Sequence, residues 1–169
     1  MAVVLGDSYA QGQSLDEPRS ESWPALVGEA EGWETYVNAV GGTGLTSGGP
    51  CGGQSFLSRV DDVNALEPGV VIIQTGLNDT PEKTGPALTE VVSALNAPDL
   101  IVIGPVGAPA YDQNQIRAVD AALSDASRTL GVRYISMLSL SPEFGPDHRH
   151  MTVSGHHAYA EFIESVFDG

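Results

Sequence analysis

Apolar stretches of strand length recur along the chain, at Ala2 to Leu5, Thr35 to Val40, Val70 to Gln74, Leu100 to Gly104 and Val132 to Ser136. Their length and hydrophobicity predict buried parallel strands. Between them the apolar positions take helical spacing, at Trp23 to Ala30, Phe56 to Leu66, Thr84 to Leu95 and Ile116 to Leu130, with a last helix from about Val153 to Phe167. Strand and helix alternate throughout, which predicts an α/β fold built on a doubly wound open sheet. In such sheets ligands sit at the carboxyl ends of the strands, near a switch in strand order. Ser8 follows the first strand, the turn Gly41-Gly42-Thr43-Gly44 the second and Gly76-Leu77-Asn78-Asp79 the third, so the pattern gathers all three on one edge.

The remaining stretches read as connections. Gly41 to Gly53 is glycine-rich and predicts an irregular loop walling the site, and Pro105 to Tyr111 lies on the same edge after the fourth strand. A length of 169 residues suits one compact domain spanning 1–169, large enough to bury roughly 70% of its unfolded surface. There is no internal repeat, no apolar run of membrane-spanning length and no signal-peptide pattern. The chain therefore reads as soluble, with no insertion into a membrane. The start at Met1, one residue before a core strand, fits an excised domain of a secreted or cell-surface protein, and leaves localisation open.

Charge narrows the partners. The chain carries 22 acidic and 7 basic residues, a net charge of -15, with Lys83 as its one lysine. No basic patch exists to hold a phosphate backbone, which excludes nucleic acid as a partner. The lone Cys51 cannot form an internal disulfide, and four-ligand zinc spacing is absent. Nothing indicates an oligomeric state.

The chemistry lies in four blocks. A serine hydroxyl needs a base within hydrogen-bond reach and a third group to orient that base. Ser8 supplies the candidate nucleophile, and Asp147-His148-Arg149-His150 the other two, since a tight turn lets Asp147 hold one ring nitrogen of His150 while the other faces Ser8. His148 is the competing base. The backbone amides of Ser8 and a turn glycine, with the side-chain amide of Asn78, can serve as oxyanion donors. Each piece has an ordinary alternative: Ser8 as a helix cap, Asn78-Asp79 as a turn before Thr80-Pro81, Asp147 as a turn residue after Gly145-Pro146. Those alternatives would have to hold four times in the right order.

Taken together, Gly6-Asp7-Ser8, the glycine turn after Asn38, Gly76-Leu77-Asn78-Asp79 and Asp147-His148-Arg149-His150 resemble the four blocks of the SGNH or GDSL hydrolase family. Thr152, Gly155 and His156 continue the last block as that family does, while Met151 stands where a proline is frequent. Of the turn glycines, Gly42 is preferred over Gly44 as the amide donor, from its distance past the strand. The resemblance implies a flavodoxin-like three-layer sandwich with a five-stranded parallel sheet, ester hydrolysis through an acyl-enzyme, and no metal or organic cofactor. Short loops without a long apolar lid point to a small acyl group such as acetyl, carried by a carbohydrate or another small polar molecule. Lipid-ester hydrolysis and acyl transfer to a cell-surface polymer are the alternatives.

Other folds fit less well. An alpha/beta-hydrolase uses Gly-x-Ser-x-Gly in mid-chain, whereas here position 10 is alanine and the serine lies near the amino terminus. A nucleotide-binding loop would need Gly-x-x-x-x-Gly-Lys-Ser/Thr, which is absent. A catalytically inactive binding domain on the same fold conflicts with four intact blocks.

Overall fold

The computed structural model describes residues 1–167. Its strands are β1 (Ala2–Gly6), β2 (Thr35–Ala39), β3 (Val70–Gln74), β4 (Asp99–Ile103) and β5 (Arg133–Ile135). They form one sheet in the order β2-β1-β3-β4-β5, every pairing parallel. The chain leaves β1 for one neighbour and returns on its other side for β3, so the strand order reverses at β1, where open sheets of this order place their ligands.

The helices are α1 (Ser8–Gln11), α2 (Pro18–Glu21), α3 (Trp23–Ala30), α4 (Val60–Asn64), α5 (Pro81–Ala94), α6 (Gln113–Leu130) and α7 (Val153–Phe167). Alternate strand residues feed two cores. Val4, Ile72 and Ile103 pack with Trp23, Tyr159 and Ile163 on one face. Val3, Leu5, Val71, Ile73 and Val102 pack with Phe56, Leu88, Val119 and Leu123 on the other. Each fully buried aliphatic or aromatic side chain contributes about 1.5–3 kcal/mol, so continuous strand hydrophobicity is the direct requirement of a sheet covered on both faces. Among the described residues no helix is long and apolar enough to cross a membrane.

Several expectations need adjustment. The second strand is not a buried one: β2 is an edge strand, with Tyr36 51% and Val37 39% exposed. The helix expected over Phe56 to Leu66 is a 3-10 turn at Leu57–Arg59 followed by the short α4. The helices α5 and α6 begin three residues earlier than their apolar periodicity, because their starts are polar: Pro81 occupies the first turn of α5, and the Asp112 side chain accepts from the Asn114 amide at 2.8 Å to cap α6. The short helices α1 and α2 offer too few positions to show a period.

One cap comes from another helix. Trp23, the first residue of α3, donates its amide to His156 Nδ1 of α7 at 3.2 Å, in place of the Ser22 side chain, which makes no capping bond. Only an uncharged ring can accept there. Burial, with smaller contributions from His157 and His150, lowers the His156 pKa from 6.5 to about 4. Above pH 6.5 the ring is neutral in both folded and unfolded chains and its contribution to stability is complete. Between 6.5 and about 4 the unfolded chain takes up the proton first, so that contribution falls with falling pH, by about 3 kcal/mol in all. In urea unfolding, the stability advantage of the native protein over His156→Gln should shrink by about that amount between pH 7 and pH 4. An advantage that does not change with pH contradicts the assignment.

Candidate active site

The carboxyl end of β1 turns directly into α1. A Cβ on Gly6 would stand 2.4 Å from the Ala10 Cβ, so only glycine lets the helix begin this close to the strand. Asp7 caps the helix, its Oδ1 accepting from the Tyr9 amide at 2.9 Å. Burial raises the Asp7 pKa to about 7, against the lowering effect of the Tyr9 amide and the Gln74 side chain. Ser8 is the first helical residue and keeps 8% of its surface accessible, and among the described residues its hydroxyl makes no hydrogen bond.

The glycine turn lies beside it. Gly42 takes a φ of +76°, a left-handed conformation that favours glycine. The Gly41 amide donates to Gln11 Oε1 at 2.9 Å and the Gly44 amide to the Ser47 carbonyl at 3.0 Å. Among the described residues nothing accepts from the Gly42 amide. Asn78 Nδ2 donates to the Thr43 carbonyl at 2.8 Å and faces Asp7 Oδ2 at 3.5 Å, so the third block is fastened to both the turn and the serine's cap. Asp79 reinforces this join, accepting from the Thr46 amide at 2.8 Å, the Thr46 hydroxyl at 3.0 Å and the Thr75 hydroxyl at 2.6 Å.

Asp147 and His150 sit on a tight turn closed by the Gly145 amide donating to the His150 carbonyl at 2.8 Å. Asp147 Oδ2 is 2.6 Å from His150 Nδ1, while its Oδ1 accepts from the amides of His150 and Arg149, each at 3.0 Å. Those two amides, and then the His150 ring, hold the Asp147 carboxyl well below the usual carboxylate range. With Nδ1 committed to the carboxylate, Nε2 is the ring nitrogen left for proton transfer. His148 points elsewhere: it is exposed, and it occupies the turn's left-handed position at a φ of 54°.

Tyr9 connects this turn to the serine. Its hydroxyl donates to the Arg149 carbonyl at 2.5 Å, and its ring lies edge-on to the His150 ring with centroids 6.4 Å apart. The structure thus brings Asp147 against His150, and joins Asn78 to the glycine turn and to Asp7. Among the described residues no hydrogen bond runs from Ser8 Oγ to His150; such bonds are often long before substrate binds.

The sequence reading missed Arg59. Its guanidinium is buried and lies 5.0 Å from the Phe56 ring centroid. Nη1 donates to the Asn38 carbonyl at 2.8 Å and to Asn38 Oδ1 at 2.9 Å; Nη2 donates to the Gly6 carbonyl at 3.1 Å and to Thr43 Oγ1 at 2.9 Å; Nε donates to the Gln54 carbonyl at 3.2 Å. One side chain therefore ties the ends of β1 and β2 to the glycine turn. Its signal was an arginine in a segment of otherwise core-forming spacing, which reads equally as a solvated helix face.

The model of the GDSL-like Lipase/Acylhydrolase family matches residues 4–158. No curated protein matches the chain in sequence at a significant level. Among solved structures, a carbohydrate acetylesterase from Sinorhizobium meliloti is 16% identical with a TM-score of 0.81, the match covering 98% of this chain and 99% of that one. The native aryl esterase of M. smegmatis is 16% identical with a TM-score of 0.79, covering 99% and 98%. At such identities the likeness establishes the fold.

Replacing Arg59 by leucine would remove all five of its hydrogen bonds, leave the Gly6 carbonyl to the Val40 amide at 3.2 Å and leave the part-buried Asn38 oxygens without the guanidinium. Arg59→Leu should lower unfolding stability by about 3 kcal/mol or more, and Arg59→Lys should recover only part of it, because an ammonium cannot span the same acceptors. Urea titration followed by circular dichroism reads the difference; a loss within about 1 kcal/mol would contradict this role.

Proposed function

The chain belongs to the GDSL-like Lipase/Acylhydrolase family, and on that premise we propose that it hydrolyses esters through an acyl-enzyme, removing a small acyl group such as acetyl from a carbohydrate or similar polar carrier. The observation that carries the reading is the 2.6 Å contact of His150 Nδ1 with Asp147, on a turn that Tyr9 fastens to the helix bearing Ser8.

In this mechanism His150 Nε2 takes the proton of Ser8 as Oγ attacks the ester carbonyl carbon. The Asp147 carboxylate holds the ring in orientation and stabilises the imidazolium. Charge forming on the carbonyl oxygen is met by the amides of Ser8 and Gly42 and by the Asn78 side chain. The tetrahedral intermediate collapses as His150 gives its proton to the leaving alcohol, and the acyl group stays on Ser8. Water, deprotonated by His150, then attacks the acyl carbonyl and releases the carboxylic acid and free Ser8.

Particular contacts support particular roles. Among the described residues the Gly42 amide has no protein acceptor whereas the Gly44 amide is engaged within the turn, which favours Gly42 as the donor. One Asn78 amide hydrogen is held by the Thr43 carbonyl, and the 3.5 Å gap to Asp7 is too long to saturate the other. Asp147 contacts His150 and not His148, which supports His150 as the base. For the substrate, the support is the likeness in fold to a protein named a carbohydrate acetylesterase and to one named an aryl esterase.

Release of nitrophenol from nitrophenyl esters, acetyl through dodecanoyl, tests the reading. The rate should fall with acyl length and vanish in Ser8→Ala. Asn78→Ala should turn over about 100- to 1000-fold more slowly, the usual loss for one oxyanion donor. His150→Ala should be inactive while remaining folded, and His148→Ala should keep its activity. Full activity in Ser8→Ala, or a rate that climbs with chain length, would refute the corresponding part of the proposal.

A further inference from the structure

A cleft of about 570 Å³ opens between the segment from Gln11 to Pro18 and the glycine-rich loop. That size lies within the roughly 300–1,000 Å³ of small-molecule sites. We propose that it binds the carrier half of the ester, and that the carrier is an uncharged polyhydroxyl compound, a neutral glycan. This rests on the esterase reading above and extends it to a site and a ligand chemistry.

The cleft borders the serine through Gly41. A Cβ on Gly41 would come 3.7 Å from the Ser8 Cβ, and within 3.1 Å of Gln11 Oε1 and 2.9 Å of Gln13 Oε1. A ligand held by the glutamines is therefore one residue's width from Ser8. Each glutamine is held to the site through one of its polar groups. The Gln13 amide donates to the Ser8 carbonyl at 2.9 Å, the Gln54 carbonyl accepts from Arg59 at 3.2 Å, and Gln11 Oε1 is fixed by the Gly41 amide at 2.9 Å. Their remaining amide groups are unused: among the described residues the side chains of Gln13 and Gln54, and Nε2 of Gln11, have no protein partner.

The lining selects the ligand. Although the chain carries 22 acidic residues, among the described residues no acidic and no basic one lines this cleft. A charged ligand would lose hydration with no counter-charge in return. The primary amides of Gln13 and Gln54 offer paired donors and acceptors, and Gln11 Nε2 a further donor, which is what vicinal hydroxyls require. Leu15, Pro18 and Pro50 supply apolar surface for the C–H face of a sugar ring. An alkyl chain in the same place would strip water from the amides and satisfy none of them.

The test compares Gln13→Leu and Gln54→Leu with the native protein on two substrates, acetylated xylotetraose and nitrophenyl acetate, which is too small to need the cleft. Each variant should lose about tenfold in kcat/KM on the oligosaccharide, the scale of one hydrogen bond, with nitrophenyl acetate within about twofold. Equal losses on both substrates, no loss on either, or faster cleavage of nitrophenyl decanoate by the variants would overturn the proposal, the last because it would place an acyl chain in the cleft. Cys51, exposed on the same wall, gives a readout independent of catalysis. Acetylated xylotetraose should slow maleimide labelling of Cys51 in Ser8→Ala. If the native protein cleaves no ester yet Cys51 is protected, the esterase reading fails and the cleft assignment stands. If nitrophenyl acetate is cleaved through Ser8 while Cys51 is unprotected, the cleft assignment fails alone.

Discussion

A single buried guanidinium ties the carboxyl ends of β1 and β2 to the glycine turn. Among the described residues Arg59 has no carboxylate in hydrogen-bonding contact; its donors go to two strand-end carbonyls, a side-chain amide oxygen, a threonine hydroxyl and a loop carbonyl. The Gly6 carbonyl already accepts from the Val40 amide at 3.2 Å, and the guanidinium takes up its second lone pair at the carboxyl ends of the strands, just where open sheets place their ligands. A loop of glycines cannot satisfy those acceptors with side chains. Five rigidly arrayed N–H groups can, and they fix the turn at Gly42 relative to Ser8 by the same bonds. The cost is desolvation, which lowers the arginine's pKa and is partly offset by the charge of Asp7 nearby.

The polar interior of the site is balanced on opposing titrations. Asp7 and His156 are both buried, and burial pushes each toward its uncharged form, the carboxyl up to about 7 and the ring down to about 4. The consequences for stability have opposite signs. The burial of the Asp7 charge weighs on the fold above pH 7 and is relieved as pH falls toward 3.8, over much of the range in which His156 withdraws its support. Near neutral pH, Asn78 therefore faces a group poised between acid and carboxylate.

What could be read from the sequence is what repeats or clusters locally. The strands announced themselves by continuous hydrophobicity, and Asp147 with His150 by a spacing that one turn can close. The exposure of β2 was hidden, because an edge strand paired on one side and a central strand paired on two can carry similar residues. Arg59 was hidden for a different reason: its partners Gly6, Asn38, Thr43 and Gln54 are spread along the chain, and mostly offer backbone oxygens, which have no residue type. The cleft glutamines were equally silent. Gln11, Gln13 and Gln54 look like ordinary surface amides until the fold sets two distant segments side by side.

The hydroxyl of Tyr9 reaching the carbonyl of Arg149 joins positions 140 residues apart. Closing so long a loop costs entropy that only a nearly complete fold can repay. Asp147 and His150, the acid and base of the proposed mechanism, thus lie far along the chain from Ser8 and reach it only when the fold is nearly complete. In that mechanism Ser8 has no base until they dock, so a partly folded chain carries its serine in an inert form. Chemical competence becomes a property of the finished molecule.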